Sequence, residues 1–415
     1  MTDKNMSLYF DPIVTVCVNF QDFRRPRGVR YSSGFLIFCL FLCECGKMFS
    51  QRSKSIWIFE NWNLICTFWY NSSGISVNRK SSPSQSCLSR YLSGVNERDL
   101  KAVFYEFERK KFACEWIVFR KSIVSGNLIL RFKKKIRDKR CLSKISHGKY
   151  PHFTFDGKSR KGVISLETGR TEIDVILFSP DTKQVLAQET LPDKEGESVA
   201  VEKIIDKIGG ELPEGVFTAD AGITSPRVTS VLKAKNHHYL FGLKSNAGRI
   251  YEYVKDYDWN LISTFYVQMC EGHGRQEIRK LKKLALSQLG TKEHKKYAGA
   301  KVVFRLEKKV HYPNTGKVTN EIRYFIGDEA LSNMTLPQVA TYIRNHWLQE
   351  SFHWVKDAIL KEDNCAQKTH NGSRVLAVLR NLVYGIGLKI FRSVKKFTDV
   401  FVSNPRKFIG VQDKK

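Results

Sequence analysis

Hydrophobic positions divide the chain into two regimes. From about residue 20 to 110 they come in blocks that predict helices. Phe35 to Cys43 is one unbroken apolar run. It is too short to span a bilayer and lies beyond Arg24-Arg25, too far in for a leader, so it predicts a buried helix. Trp57, Phe59, Trp62, Ile65 and Phe68 recur at spacings of two or three, which suits a buried helix or strand. Ser81-Ser82-Pro83-Ser84 is a turn with capping residues ahead of Leu88 to Leu92. Asn96 caps another helix, on which Leu100, Val103, Phe104 and Phe107 share a face.

From residue 150 the pattern alternates. Short apolar runs at His152–Asp156, Ile173–Phe178, Val185–Glu189, Gly215–Asp220 and Tyr239–Leu243 predict strands. Val199–Ile208 and Pro226–Lys235 predict helices between them. Three antiparallel strands, a helix, a strand, a helix and a strand make an α/β order. Four further strands with Gly- and Asn-rich turns predict a β-rich insertion at about 251–335. Leu336 to Leu360 reads as one long helix started by Thr335 and Pro337, with Trp347 and Trp354 as core anchors, and Ser373 to Phe391 as a last helix.

Charge narrows the class of partner. The 415 residues hold 69 Lys and Arg against 41 Asp and Glu, a net +28. On a folded chain that excess points to nucleic acid ahead of an anionic membrane surface. Residues 1–150 carry 27 basic and 11 acidic residues, a net +16, so the N-terminal third is the more basic per residue. Residues 131–140 hold seven basic residues and one acid, and 111–149 reads as a basic linker or a phosphate-backbone contact. The ten cysteines are scattered, with Cys43 and Cys45 the one close pair, which fits reduced core thiols better than a structural metal site. No nucleotide-binding loop of the Gly-x4-Gly-Lys-Ser/Thr kind is present.

Three acids stand out by position. Asp156 and Asp220 end predicted strands, and Glu350 lies in the long helix. In an RNase H-like sheet those two strands are neighbours and the helix packs beside them. Converging carboxylates repel unless a hard cation such as Mg²⁺ or Mn²⁺ stands between them. His346, Glu350, His353 and Asp357 recur at steps of four, three and four on one helix face.

The residues around the acids resemble a known family. Phe155-Asp-Gly-Lys158-Ser-Arg160-Lys-Gly162 is similar to the DGK-x-x-R-G segment of bacterial DDE transposases of the H-repeat-associated group. Thr218-Ala-Asp220-Ala221 resembles their second acidic motif, Leu243-Lys244-Ser-Asn246 their LKGNQ segment, and Glu271-Gly-His-Gly-Arg275-Gln-Glu-Ile-Arg279 their HGR-x-E-x-R element. Tyr342 to Asp357 matches their R-x-HW-x-IEN-x-LHW-x-x-D helix. The match is dense over about 150–390. Phe20–Arg24, Gly28–Tyr31 and Pro83–Leu92 resemble that group's N-terminal associated domain more thinly. Departures are Ser245 and Ala247 for Gly and Gln, and Lys356 where an apolar residue is usual.

The resemblance implies a DNA transposase. It implies an RNase H-like α/β catalytic domain at 150–395 with a β-rich insertion, a linker at 111–149, and a basic, mostly helical DNA-binding domain at 14–110. It implies Asp156, Asp220 and Glu350 as a catalytic triad holding Mg²⁺ or Mn²⁺, two ions in all, about 4 Å apart in such sites. It further implies Lys158, Arg160, Lys244, Arg275, Arg344 and His353 as DNA contacts. The substrates would be element ends and target DNA. The protein would act as a homodimer beside the bacterial nucleoid in the cytoplasm, away from membranes. The residues also leave open a nuclease without strand transfer, or an inert, decayed or repurposed protein that only binds specific DNA.

Overall fold

The computed structural model describes residues 6–25, 29–124, 150–164, 169, 171–191, 196–272, 274–364 and 370–410. The basic run 131–140, Cys141, His273 and Cys365 lie outside them. The architecture is mixed α/β, one large sheet between helical layers. Helices α1 (Asp11–Val18), α2 (Ser33–Cys45), α3 (Gln51–Glu60), α4 (Trp62–Ser73), α5 (Gln85–Gly94) and α6 (Glu97–Val124) come first. The sheet then runs through β1 (His152–Ile164), β2 (Thr171–Ser179), β3 (Gln184–Leu191), β4 (Val216–Ala219), β5 (His238–Leu243), β6 (Phe265–Gly272), β7 (Arg275–Ala285), β8 (Ala300–Tyr312) and β9 (Lys317–Asp328). Helices α7 (Glu197–Ile208), α8 (Pro226–Ala234) and α9 (Arg249–Asp256) lie within it in sequence. Helices α10 (Glu329–Ser332), α11 (Leu336–His346), α12 (Leu348–Ala358), α13 (His370–Phe391), α14 (Val394–Ser403) and α15 (Arg406–Ile409) follow.

The nine strands lie in the order 3-2-1-4-5-9-8-7-6. β1, β2 and β3 are antiparallel, whereas β4 and β5 run parallel to β1 through the crossover helices. β4 reads Val-Phe-Thr-Ala with every residue buried, as a central strand covered on both faces must. The expected β-rich insertion is not set apart from this sheet. β9 pairs antiparallel with β5, and β8, β7 and β6 extend the same sheet outward.

Among the described residues three apolar clusters pack against the sheet, and two of them are large. On one side Val175, Leu177, Phe153 and Phe217 pack with α7, α8 and α9. On the other, Ile176, Phe178 and Val185 join α1 to α5 and α13 to α15 in one continuous apolar cluster. The front helices are therefore not separate from the rest. A boundary near residue 110 is crossed by α6, whose Phe112 and Trp116 pack with Phe153, so the first part of the expected linker is helical and buried on one face.

The apolar run from Phe35 to Cys43 is buried on every side. Ser32 caps α2 by accepting from the Phe35 amide, and Gly34 lets α1 come close. A Cβ at Gly34 would lie 2.0 Å from the Cys17 carbonyl oxygen, a backbone atom that cannot swing away. Gly34→Ala should therefore cost about 1–3 kcal/mol through overpacking, read as a lowered midpoint in thermal melts followed by circular dichroism. An unchanged midpoint would show that α1 can retreat freely. Among the described residues no helix is long and apolar enough to cross a membrane.

The predicted long helix is two. Trp347 stands between α11 and α12 with ψ near −6°, and its amide bonds to the Arg344 carbonyl at 3.3 Å, a tighter turn than the α-helical one. Trp354 is not a core anchor, since 63% of it is exposed.

Candidate active site

Register brings the two aspartates near each other. Phe155 on β1 pairs with Ala219 on β4 in parallel as the last rung of that ladder, and Asp156 and Asp220 are the next residue on each chain. Neighbouring strands lie about 4.8 Å apart, and paired residues point to the same face. The Gly157 amide donates to Asp156 Oδ1 at 2.9 Å. Behind Asp220 the chain is tied down: Asn246 donates to the Ala221 carbonyl at 2.6 Å and Thr224 to the Gly242 carbonyl at 2.7 Å. That is a structural reason for the asparagine of the Leu243–Asn246 motif.

Each aspartate faces a histidine. His353 Nδ1 lies 3.4 Å from Asp156 Oδ2, and His346 Nε2 lies 3.5 Å from Asp220 Oδ1. His346 Nδ1 meets the Thr218 hydroxyl at 3.0 Å, which in turn meets buried His152 Nε2 at 2.8 Å. The hydrogen bond to His346, outweighing burial, holds the Asp220 carboxyl below its usual range, with help from Lys244 and Arg323. Burial lowers His152 well below the ordinary imidazole value, so it stays neutral in this chain of contacts.

Glu350 sits in the first turn of α12, exposed, with no hydrogen bond or ion pair among the described residues. Its helix is fixed on the sheet by Gln349, which donates to the Ile176 carbonyl at 3.0 Å, and by Phe352, stacked on Phe178 with centroids 5.3 Å apart. Glu350 is thus one helical turn before His353, the histidine that faces Asp156.

A further carboxylate was missed. Glu197, first residue of α7, stands against both aspartate loops: a Cβ at Gly157 would lie 2.1 Å from its Oε1, and one at Gly222 3.8 Å from its Oε2. Burial and then the charges of Asp156 and Asp220 raise its carboxyl above the usual value. In sequence it reads as an acid at a helix start, where any glutamate is favourable, and nothing local ties it to Asp156. A carboxyl harder to ionise folded than unfolded costs stability as pH rises past the ordinary glutamate range. Glu197→Gln should therefore raise the thermal midpoint at neutral pH without divalent ions and shrink the rise that Mn²⁺ gives. Melts with and without Mn²⁺ check this; an unchanged metal-free midpoint would mean the three charges do not meet.

The basic candidates separate into two groups. Lys158 is not open to DNA. It is buried and ion-paired to Asp357 at 2.7 Å, Glu362 at 3.1 Å and Asp363 at 3.4 Å. Burial opposes its charge, but Glu362 and Asp357 raise its ammonium above the usual value. Arg160 is 1% exposed and pairs with Glu172 and with Asp174 at 2.9 Å, while donating to Ser373 at 2.8 Å. Both side chains clamp β1 to the end of α12 and to α13. Lys356, the departure from the motif, belongs to the same network: it is buried and pairs with Glu362 at 2.8 Å. Burial favours the neutral Glu362 carboxyl, yet Lys356 and Lys158 hold it down at about 2. By contrast Lys244 is exposed and acts on Asp220, and Arg275 and Arg344 line a cavity beside Trp347. His353 faces Asp156, with its Nε2 unpaired among the described residues.

Hard oxygen donors in this set suit Mg²⁺ or Mn²⁺. Asp156, Asp220, Glu197 and Glu350 are the residues that could hold such ions. Among the described residues no three His, Cys, Asp or Glu side chains are already gathered around one point. The fit is one of donor chemistry and placement, with the two histidines standing where cations would act on the aspartates.

Comparison with known proteins bears on this geometry. The family model described as "Transposase DDE domain" matches residues 174–386. YncI of Escherichia coli O157:H7, provisionally named a transposase, is 23% identical over 331 residues, covering 73% of this chain and 70% of that protein. A solved piggyBac transposase synaptic complex with hairpin DNA aligns over 95% of this chain and 76% of its own, at 9% identity and a TM-score of 0.35.

Proposed function

Because this chain belongs to the transposases with a DDE domain, we propose that it cuts DNA at the ends of an insertion sequence and joins the freed ends to target DNA. Asp156, Asp220 and Glu350 form the acidic triad in this reading. The observation that carries it is that Asp156 and Asp220 directly follow Phe155 and Ala219, the last parallel pair of β1 and β4, and that each faces a histidine of the segment bearing Glu350. The order 3-2-1-4-5, with three antiparallel strands and two parallel ones, supports an RNase H-like core.

Bound Mg²⁺ or Mn²⁺ would supply Lewis-acid activation of water or a DNA hydroxyl and neutralise charge building on the phosphate. The protein's part is to place and orient. Asp156 and Asp220 ride on backbone fixed by the central sheet. His346 holds the Asp220 carboxylate from one side, backed by Thr218 and His152. His353 does the same for Asp156. Lys244 and Arg323 keep a positive field at Asp220, where a phosphodiester must approach. The front helices supply a basic surface for recognising element ends, and two copies would pair two ends.

The test is purified protein with supercoiled plasmid carrying its own gene's flanking DNA, in Mg²⁺ or Mn²⁺. Cuts at both element ends, followed by joining of 3′-hydroxyls to target, are expected. Cuts without joining would leave a nuclease. Binding without cutting in either metal would leave an inert DNA-binding protein.

A further inference from the structure

We propose that the cavity beside Trp347 seats one DNA backbone phosphate close to the cleavage point, with Arg279 as its buried donor; this rests on the transposase reading above. The cavity holds about 320 Å³ between the β6–β7 hairpin and the start of α12. Arg275, Arg279, Arg344 and Trp347 are its chemically active walls.

Arg279 is 9% exposed and uses only part of its fork. Its Nη2 donates to Glu277 Oε2 at 2.5 Å, while Nε and Nη1 are buried with no partner among the described residues. Buried donors are rarely left unmade, so two on one guanidinium mark a place where a ligand completes the set. Among the described residues its neighbours are also short of anions: Arg275 shares the same Glu277, at 3.0 Å, and Arg344 reaches Cys270 Sγ at 2.9 Å and Gln268 Oε1 at 3.4 Å. Glu271 is the other acid on the cavity wall, and it accepts from Gln276. Burial, aided by the charge of Arg344 and resisted by Glu277, lowers the Arg279 guanidinium from its usual value.

Position gives the ligand its identity. Arg279, Lys308 and Arg323 stand over the Trp347 ring at 5.0, 5.0 and 5.1 Å. The same indole and Arg323 also line the space at Asp220. The turn between α11 and α12 thus makes Trp347 a wall with the aspartate on one side and the arginine cavity on the other. A planar fork with open N–H groups matches phosphate oxygens, and a strand crossing Asp220 would bring a neighbouring phosphate to it.

The experiment replaces phosphates of an element-end duplex by neutral methylphosphonates, one at a time, and measures binding by fluorescence anisotropy. With wild-type protein, one substitution within a few nucleotides of the cut should weaken binding about tenfold or more. With Arg279→Gln that substitution should cost nothing further, while the other positions keep their effects. Identical maps for the two proteins overturn the proposal, even where wild type binds and cuts as a transposase should. If Arg279→Gln does not fold, Arg344→Gln must lose its sensitivity at the same phosphate, and an intact map overturns the proposal. Stabilisation by inorganic phosphate with unchanged DNA maps would make the cavity a free-anion site and overturn it equally. A wild type that neither binds nor cuts the duplex removes the transposase reading itself.

Discussion

Asp220→Ala abolishes metal-dependent cutting and leaves DNA binding intact or tighter. The loss should be about a thousandfold or more if, as proposed above, this carboxylate holds the ion beside the phosphate under attack. Its contribution depends on place: it follows the last β1–β4 pair as Asp156 does, it is held ionised by His346, and its loop is tied by Asn246 and Thr224. Removing a negative charge from a site bordered by Lys244 and Arg323 cannot weaken attraction for DNA. Cleavage of end-bearing plasmid and anisotropy on the end duplex, run side by side, check both halves. A variant that cuts at the wild-type rate would end the assignment of Asp220.

Glu44→Ala should unfold much of the molecule. Glu44 is 0% exposed inside α2, where it accepts from Lys54 Nζ at 2.7 Å and Arg380 Nε at 2.8 Å. Lys54 also donates to the Met48 carbonyl. Deleting the carboxylate leaves two cations in an apolar core without their common anion, a cost of about 3–5 kcal/mol. Denaturant melts should show a large fall in midpoint. Replacing all three with apolar residues of similar volume should recover most of the loss, because the desolvation cost then vanishes. A midpoint unchanged by Glu44→Ala would mean water reaches the cluster.

Much of this arrangement was legible in sequence because it is local. The cap at Ser84, the run at Phe35–Cys43 and the buried strands each announce themselves within a dozen residues. Asp156 and Asp220 were legible for the same reason, each closing an apolar strand run. What was not legible depends on partners far along the chain. Lys158 and Arg160 look like surface bases until Asp357, Glu362 and Ser373 arrive some 200 residues later. Glu197 reaches the site only through the crossover that packs α7. The break at Trp347 sits where cations of β7, β8 and β9 stand over its ring, and no helix signal marks it. The join of β9 to β5 is another non-local pairing, which turns a presumed insertion into an extension of the central sheet.

The cluster shared by the first and last helices sets an order on the protein's birth. Helix α2 leaves the ribosome about 300 residues ahead of α13 and α14, which cover it. Until they emerge, Phe35 to Leu42 has no finished burial site and is prone to stick to other chains. A frameshift or stop codon before residue 370 would thus yield a sticky fragment rather than a free, DNA-binding front half. Such a fragment would go to proteases, leaving the full-length chain without a stable short competitor.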